Sequence, residues 1–258
     1  MKDVTLVAID FVTHELTRRA IEITLRNFEP KDILVISDKE FVPGARTIIR
    51  APVNGMPEYA NLMLKGVAEY VETNHALYIQ WDGIADTPSL WTDEFLQYDY
   101  IGAPWPWQPE GVNIGNGGFS LRSKRLLDAC ATDPKISLTP DEPIAEDNVI
   151  GQHNRKHLEQ VYGVTFPSTK LAKQFSYELG EPHSSFGFHG LWNIVNRLGD
   201  EDLDYFVERL DYSGWNIYKW THFMQALVDR GSPWLYTALE KLTEKAPQFL
   251  PQIAQVIK

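Results

Sequence analysis

The apolar positions of this chain change period repeatedly along its first eighty residues. Residues 4–9 form a short apolar run ended by Asp10, the length and pattern of a buried strand. Over 14–28 the spacing lengthens: Leu16, Ala20, Ile23 and Phe28 fall near the helical repeat, with Arg18, Arg19, Glu22 and Arg26 between them. Residues 33–36 read as a second strand, stopped by Ser37 and Asp38, and 47–49 as a weaker third. The clearest amphipathic helix is predicted over 57–73, with Pro57 in its first turn, where a missing N–H costs nothing. Tyr59, Leu62, Met63, Val67, Tyr70 and Val71 line one face of it, and a strand at 77–80 follows.

This alternation predicts an α/β fold with a mainly parallel sheet between helices. Ligands of such sheets sit beyond the carboxyl ends of the strands, where Asp10, Asp38 and Asp82 all stand. From about residue 98 the pattern is less regular. Strands are expected over 98–105 and 113–121 around a Pro-Trp-Pro-Trp loop, helices over 123–131 and 146–161, and a strand near 164–166. Beyond Asn193 helical segments carry Leu, Phe, Tyr and Trp among acids. The expected division is a main domain over 1–195 and a helical C-terminal extension over 196–258.

Composition narrows the function. Hydrophobic residues at 43% and charged residues at 23% are ordinary for a soluble globular chain of 258 residues, long enough for one sizeable core. The net charge of −11, from 35 acids against 24 bases, argues against wrapping nucleic acid, which needs a basic footprint to displace counterions. Cys130 is the single cysteine, so there is no internal disulfide and no cysteine metal cluster. The N-terminal apolar run is too short for a signal peptide, and no stretch approaches the roughly 20 apolar residues of a spanning helix. The expected location is cytoplasmic.

Several residues could carry chemistry, each with a plainer alternative. Asp82, closing the run Gln80-Trp81-Asp82 at a strand end, can ligate Mg²⁺ or Mn²⁺, or merely cap the following turn. The stretch Gly115, Asn116, Gly117, Gly118 allows close approach of substrate to backbone, or makes a tight turn; it matches neither a Walker loop nor a dinucleotide fingerprint. Glu146 and Asp147 open a predicted helix, where acids are favoured by exposed N–H groups; in the functional reading Asp147 is a general base. His189 is either a hydrogen-bonded core histidine or a metal ligand through its neutral imidazole. His153 and His157, four apart on one predicted helix, read as a solvated face. Trp105 and Trp107 either stack on a sugar or base, or anchor their loop. A nucleophile elbow and a reactive-cysteine context are both missing.

Taken in order, Gln80-Trp81-Asp82, the tract 98–105, the tract 115–122, Glu146-Asp147, 175–178 and 186–189 resemble an uncharacterised family, a domain of unknown function grouped with GT-A-type glycosyltransferases. The resemblance runs over about 4–193, is most specific over 99–122, and leaves the last sixty residues uncovered. It implies a GT-A fold, a Rossmann-like nucleotide-binding sheet joined to an acceptor-binding half. It further implies that Asp82 stands in a D-x-D element whose first position is Gln80 here. By the same resemblance Glu146-Asp147 correspond to an x-E-D element that supplies the base, and His189 to a late histidine completing metal coordination.

The reading that follows is a metal-assisted transferase moving a sugar from a nucleotide-diphosphate donor, a UDP-sugar first among them, to an acceptor hydroxyl with inversion. Asp10 and Asp38 would lie near the nucleoside, and Mn²⁺ or Mg²⁺ would bind Asp82 and His189. The acceptor class stays open between a glycan, a lipid-linked glycan and another hydroxyl compound. The helical tail is a candidate surface for a homodimer. One rival is a non-catalytic nucleotide-sugar-binding subunit, favoured by Gln80; another is a nucleotidyltransferase or phosphohydrolase.

Overall fold

A computed structural model describes residues 2–138 and 145–257 of the chain. The chain folds as two compact units, Met1–His189 and Gly190–Lys258.

The first unit is built on a six-stranded, mostly parallel sheet. Strand β1 (Lys2–Ile9) lies at its centre, with β2 (Pro30–Ser37), β3 (Arg46–Ile49) and β4 (His75–Ile79) running parallel to it, and β6 (Tyr100–Gly102) and β7 (Phe119–Ser123) closing one side. The order is β3-β2-β1-β4-β7-β6, and β7 is antiparallel to both β4 and β6. A smaller sheet of β5 (Gly83–Ala85), β9 (Gly187–His189) and β8 (Ser176–Tyr177) sits beyond the end of β4.

Both faces of the main sheet are covered, as the unbroken apolar runs of its strands require. On β1, Val4, Leu6 and Ala8 enter one hydrophobic cluster while Val7 and Ile9 enter another. On β4, Leu77 and Ile79 divide from Ala76 and Tyr78 in the same way, which is the two-residue period of a strand. Helices α1 (His14–Asn27), α2 (Gly55–Lys65) and α3 (Lys124–Thr132) supply partners for these faces. In α1 the acid Glu15 stands in the first turn and Arg26 in the last, both matched to the helix dipole.

Some elements differ from their sequence expectation. The helix expected over 57–73 ends at Lys65, because Gly66 follows; Gly is a poor helix former, and its N–H caps the carbonyl of Leu62. A 3₁₀ turn, Ala68–Tyr70, then still buries Val67 and Val71. The helix expected over 146–161 is broken into α4 (Glu146–Asn148), a π-helical turn Val149–His153 and α5 (Arg155–Tyr162). His153 and His157 therefore share no helical face, and His157 Nε2 lies 2.6 Å from Oδ2 of Asp133. No strand forms near 164–166; the carbonyl of Thr165 instead accepts from Asp99 N at 2.9 Å. Residues 113–118 are loop, with β7 starting only at Phe119. Helix α6 (Thr169–Phe175) leads directly into β8.

The second unit is helical: α7 (Leu191–Arg197), α8 (Asp200–Arg209), α9 (Ile217–Arg230), α10 (Trp234–Lys245) and α11 (Leu250–Val256). Trp220, Phe223 and Met224 of α9 are fully buried, and Trp220 stacks on Tyr212 at 5.6 Å between centroids. Among the described residues no helix is long and apolar enough to cross a membrane.

Candidate active site

Strand direction decides which side chains meet. Strands β1, β2 and β4 are parallel, so Asp10, Ser37 and Gln80 emerge at one edge of the sheet. Strand β7 runs the other way, with Phe119 opposite Ile79, so its amino end reaches the same edge. Gln80 N donates to the carbonyl of Gly118 at 2.9 Å. The backbone of Gly83 approaches that carbonyl so closely that a Cβ at position 83 would collide with it. Strand β5 then pairs with β9 in a register that sets Gly83 opposite His189. That register brings His189 to Asp82, across more than a hundred residues of sequence.

His189 is the hub of the resulting cluster. Its Nε2 lies 3.3 Å from Oδ1 of Asp82 and 3.2 Å from Oε1 of Gln80, and its Nδ1 lies 3.2 Å from Oε1 of Glu178. Burial alone would lower its pKa, but the charges and hydrogen bonds of Asp82 and Glu178 outweigh that and hold it well above the ordinary histidine value. Asn116 Nδ2 also reaches Nδ1, at 3.2 Å, from a backbone in the left-handed region (φ 67°) that asparagine tolerates better than most residues. Gly118 packs directly on the ring, and a Cβ there would collide with Nε2.

On the other side of the same loop lies a buried ion pair. Arg122 Nη2 donates to Glu146 Oε1 at 2.7 Å, Nη2 also reaches the carbonyl of Gly117 at 3.4 Å, and Nε donates to Ser120 Oγ at 3.0 Å. The guanidinium stacks over Tyr78 with its Cζ 4.0 Å from the ring centroid. Glu146, expected as a catalytic residue, is thus paired with Arg122 and is 5% exposed. Its neighbour Asp147 accepts from Gly117 N at 3.0 Å and from Asn148 N at 2.8 Å. Burial, and then the nearby charge of Glu146, push the Asp147 carboxyl from 3.8 up to about 6 despite those hydrogen bonds.

A cleft of about 370 Å³ opens beside this cluster, lined by Asp10, Thr17, Met56, Tyr59, Gln80 and Trp81 among others. Asp10 lines it with Oδ1 accepting from the N–H groups of Val12 and Thr13, both at 2.8 Å. Tyr59 OH donates to the carbonyl of Ile9 at 3.3 Å and receives Gln80 Nε2 at 3.2 Å, a link that fixes the Gln80 amide. None of the cleft's described lining residues is Lys or Arg.

The expected site residues therefore fall into groups. Gln80, Asp82, Asn116, Gly117, Gly118, Asp147 and His189 converge around one loop; Asp10, Gln80 and Trp81 line the cleft. Asp38 does not join them: it is at the surface, paired with His14 at 2.7 Å. Trp105 is 5% exposed with its ring packed on Gly115 and Gly151, which matches the loop-anchoring alternative, whereas Trp107 is 60% exposed. Sequence reasoning missed Tyr59, Arg122 and Glu178 as site residues. Arg122 and Glu178 both lie in the tracts that carry the family resemblance, but their roles depend on partners brought in from other elements.

Among the described residues no group of three or more His, Cys, Asp or Glu side chains forms a protein-only cation cage. Asp82 and His189 nevertheless fit an open site for Mn²⁺ or Mg²⁺, ions that keep positions for phosphate oxygens and need only one or two protein ligands. Glu178, on the far ring nitrogen, is the partner that orients such a histidine.

A family model described as a protein of unknown function (DUF5672) matches residues 45–189. No curated protein matches the chain. Among solved structures, the mannosyltransferase PcManGT from Pyrobaculum calidifontis in complex with GDP-Man and Mn²⁺ is similar at 9% identity and a TM-score of 0.46, over 98% of this chain and 73% of that one.

Proposed function

The chain belongs to the family of proteins of unknown function DUF5672, and from that premise we propose that it is a glycosyltransferase using a nucleotide-diphosphate sugar. One observation carries the reading: the Asp82–His189 pair and the Asp147 carboxylate flank the same two residues, Gly117 and Gly118. Both groups are thereby held on one short loop, next to the cleft that Gln80 and Trp81 line.

In this reading the cleft beside Asp10 and Tyr59 receives the nucleoside, and the diphosphate lies against Asp82. Among the described residues the cleft lining holds no Lys or Arg to meet that diphosphate. Mn²⁺ or Mg²⁺ held by Asp82 and His189 would offset the charge on the leaving group. Asp147 takes the proton of the acceptor hydroxyl as its oxygen bonds to the anomeric carbon. The bond from that carbon to the diphosphate oxygen breaks, its electron pair leaves with the diphosphate, and the configuration inverts. Glu146 is held in the buried ion pair with Arg122, whereas the Asp147 carboxyl is the one pushed up to about 6.

The test is release of nucleoside diphosphate from a panel of UDP-, GDP- and TDP-sugars with and without Mn²⁺. Asp82→Asn and Asp147→Asn should keep the fold and lose most of that release; full activity in either removes its assigned role. A product with retained anomeric configuration rejects Asp147 as the base. The hydrogen bonds of Gln80 to Tyr59 and His189, where an acid would serve a metal better, favour a second reading as a non-catalytic nucleotide-sugar binder. Calorimetric binding of a nucleotide sugar with no turnover would select it.

A further inference from the structure

A second cavity, of about 260 Å³, opens on the far side of Glu178. Glu178 borders it and also lies 3.2 Å from His189 Nδ1, so the cavity is one side chain removed from the cluster that flanks Gly118. Its walls combine two kinds of surface. Pro106, Leu179 and the edge of the buried Trp105 are apolar. Gln108, Asn113 and Thr169 are neutral and polar, with Asn113 Nδ2 donating to Thr169 Oγ1 at 3.0 Å. The charged and titratable groups on its rim are Glu178 and Glu181 against Lys173 and His183.

We propose that this cavity is the acceptor subsite and that the acceptor is a neutral hexose ring, the terminal unit of a glycan. The proposal rests on the glycosyl-transfer reading above. An apolar wall beside uncharged donors and acceptors suits a pyranose, which offers a C–H face and a rim of hydroxyls. The volume lies just below the roughly 300–1,000 Å³ of pockets for drug-sized ligands, which suits a single ring.

Saturation-transfer NMR on the full chain with the methyl α- and β-glycosides of glucose, galactose and mannose tests it. At least one glycoside should receive saturation from the wild type, and the signal should be lost in Leu179→Trp and in Gln108→Trp, each of which places a large ring at a residue lining the cavity. Circular dichroism identifies which variants fold, and nucleotide binding by calorimetry in the same samples should stay at the wild-type value. No transfer to any of the six glycosides, or unchanged transfer in a folded variant, overturns the proposal. Glycoside binding without any nucleotide binding would sink the donor reading and leave a carbohydrate site; nucleotide binding without glycoside binding would do the reverse.

Discussion

Arg122 and Glu146 form an ion pair at 2.7 Å with side-chain exposures of 0% and 6%, and the loop between the two halves of the candidate site is fastened to it. Arg122 reaches the carbonyl of Gly117, whose N–H holds Asp147, so the pair sets the position of the proposed base. Removing one partner leaves the other charge buried, which costs about 3–5 kcal/mol. Arg122→Met should lose about that much stability in urea unfolding, and adding Glu146→Leu to it should restore much of the loss. An Arg122→Met variant as stable as the wild type would contradict the structure here.

Asp147 connects pH to both rate and stability. With its pKa raised from 3.8 to about 6, its proton-accepting form builds up through that pH, so the rate of sugar transfer should rise with a midpoint near 6. The folded state holds a proton on Asp147 between about pH 4 and 6 that the unfolded chain has released, so this group's contribution makes stability fall as pH rises through that window. The loss amounts to something on the order of 2–3 kcal/mol. Asp147→Asn should remove that limb of the stability profile, read from denaturation midpoints at pH 4 and pH 7.

Glu178 orients His189 through its Nδ1, at 3.2 Å. Loss of such a partner lowers metal affinity by about 10–100-fold. Glu178→Gln should therefore bind Mn²⁺ more weakly by that factor, measured from the electron paramagnetic resonance signal of the unbound ion. Equal affinity in the two proteins would detach Glu178 from the metal site.

Gly83 and Gly118 differ in what surrounds them. A side chain at 83 meets the Gly118 carbonyl, part of a backbone hydrogen bond to Gln80, whereas one at 118 meets the imidazole of His189. Gly83→Ala should lower the melting temperature more than Gly118→Ala, while Gly118→Ala should impair Mn²⁺ binding. Thermal scans and metal titration of both variants decide it.

Trp105 and Trp107 should separate in the same way. Deleting the buried Trp105 ring leaves a cavity against Gly115 and Gly151 and costs about 3–5 kcal/mol in Trp105→Ala. Trp107→Ala, at an exposed position, should stay within about 0.5 kcal/mol of the wild type by chemical denaturation.

The sequence by itself determined the sheet and its functional edge. The apolar runs ended by Asp10, Asp38 and Asp82 show their strand character directly, and parallel crossovers put all three strand ends on one side. Periodicity could not foresee that Gly66 ends α2, or that a π-helical turn separates Glu146-Asp147 from α5, since both depend on single backbone positions.

The tertiary structure alone decided which acids act together. Asp38 follows β2 directly and Asp82 stands in the turn between β4 and β5, but His14 pairs with Asp38 at the surface. Asp82 is instead met by His189, because β5 pairs with β9. Glu146 and Asp147 are adjacent carboxylic acids, and local sequence cannot tell them apart. They separate because β7, antiparallel in the sheet, delivers Arg122 to one while the loop before it brings the N–H of Gly117 to the other. Strand pairing fixes such contacts across a hundred residues, and the charge each acid feels falls off over a few ångströms, so its role is written in the register of the sheet.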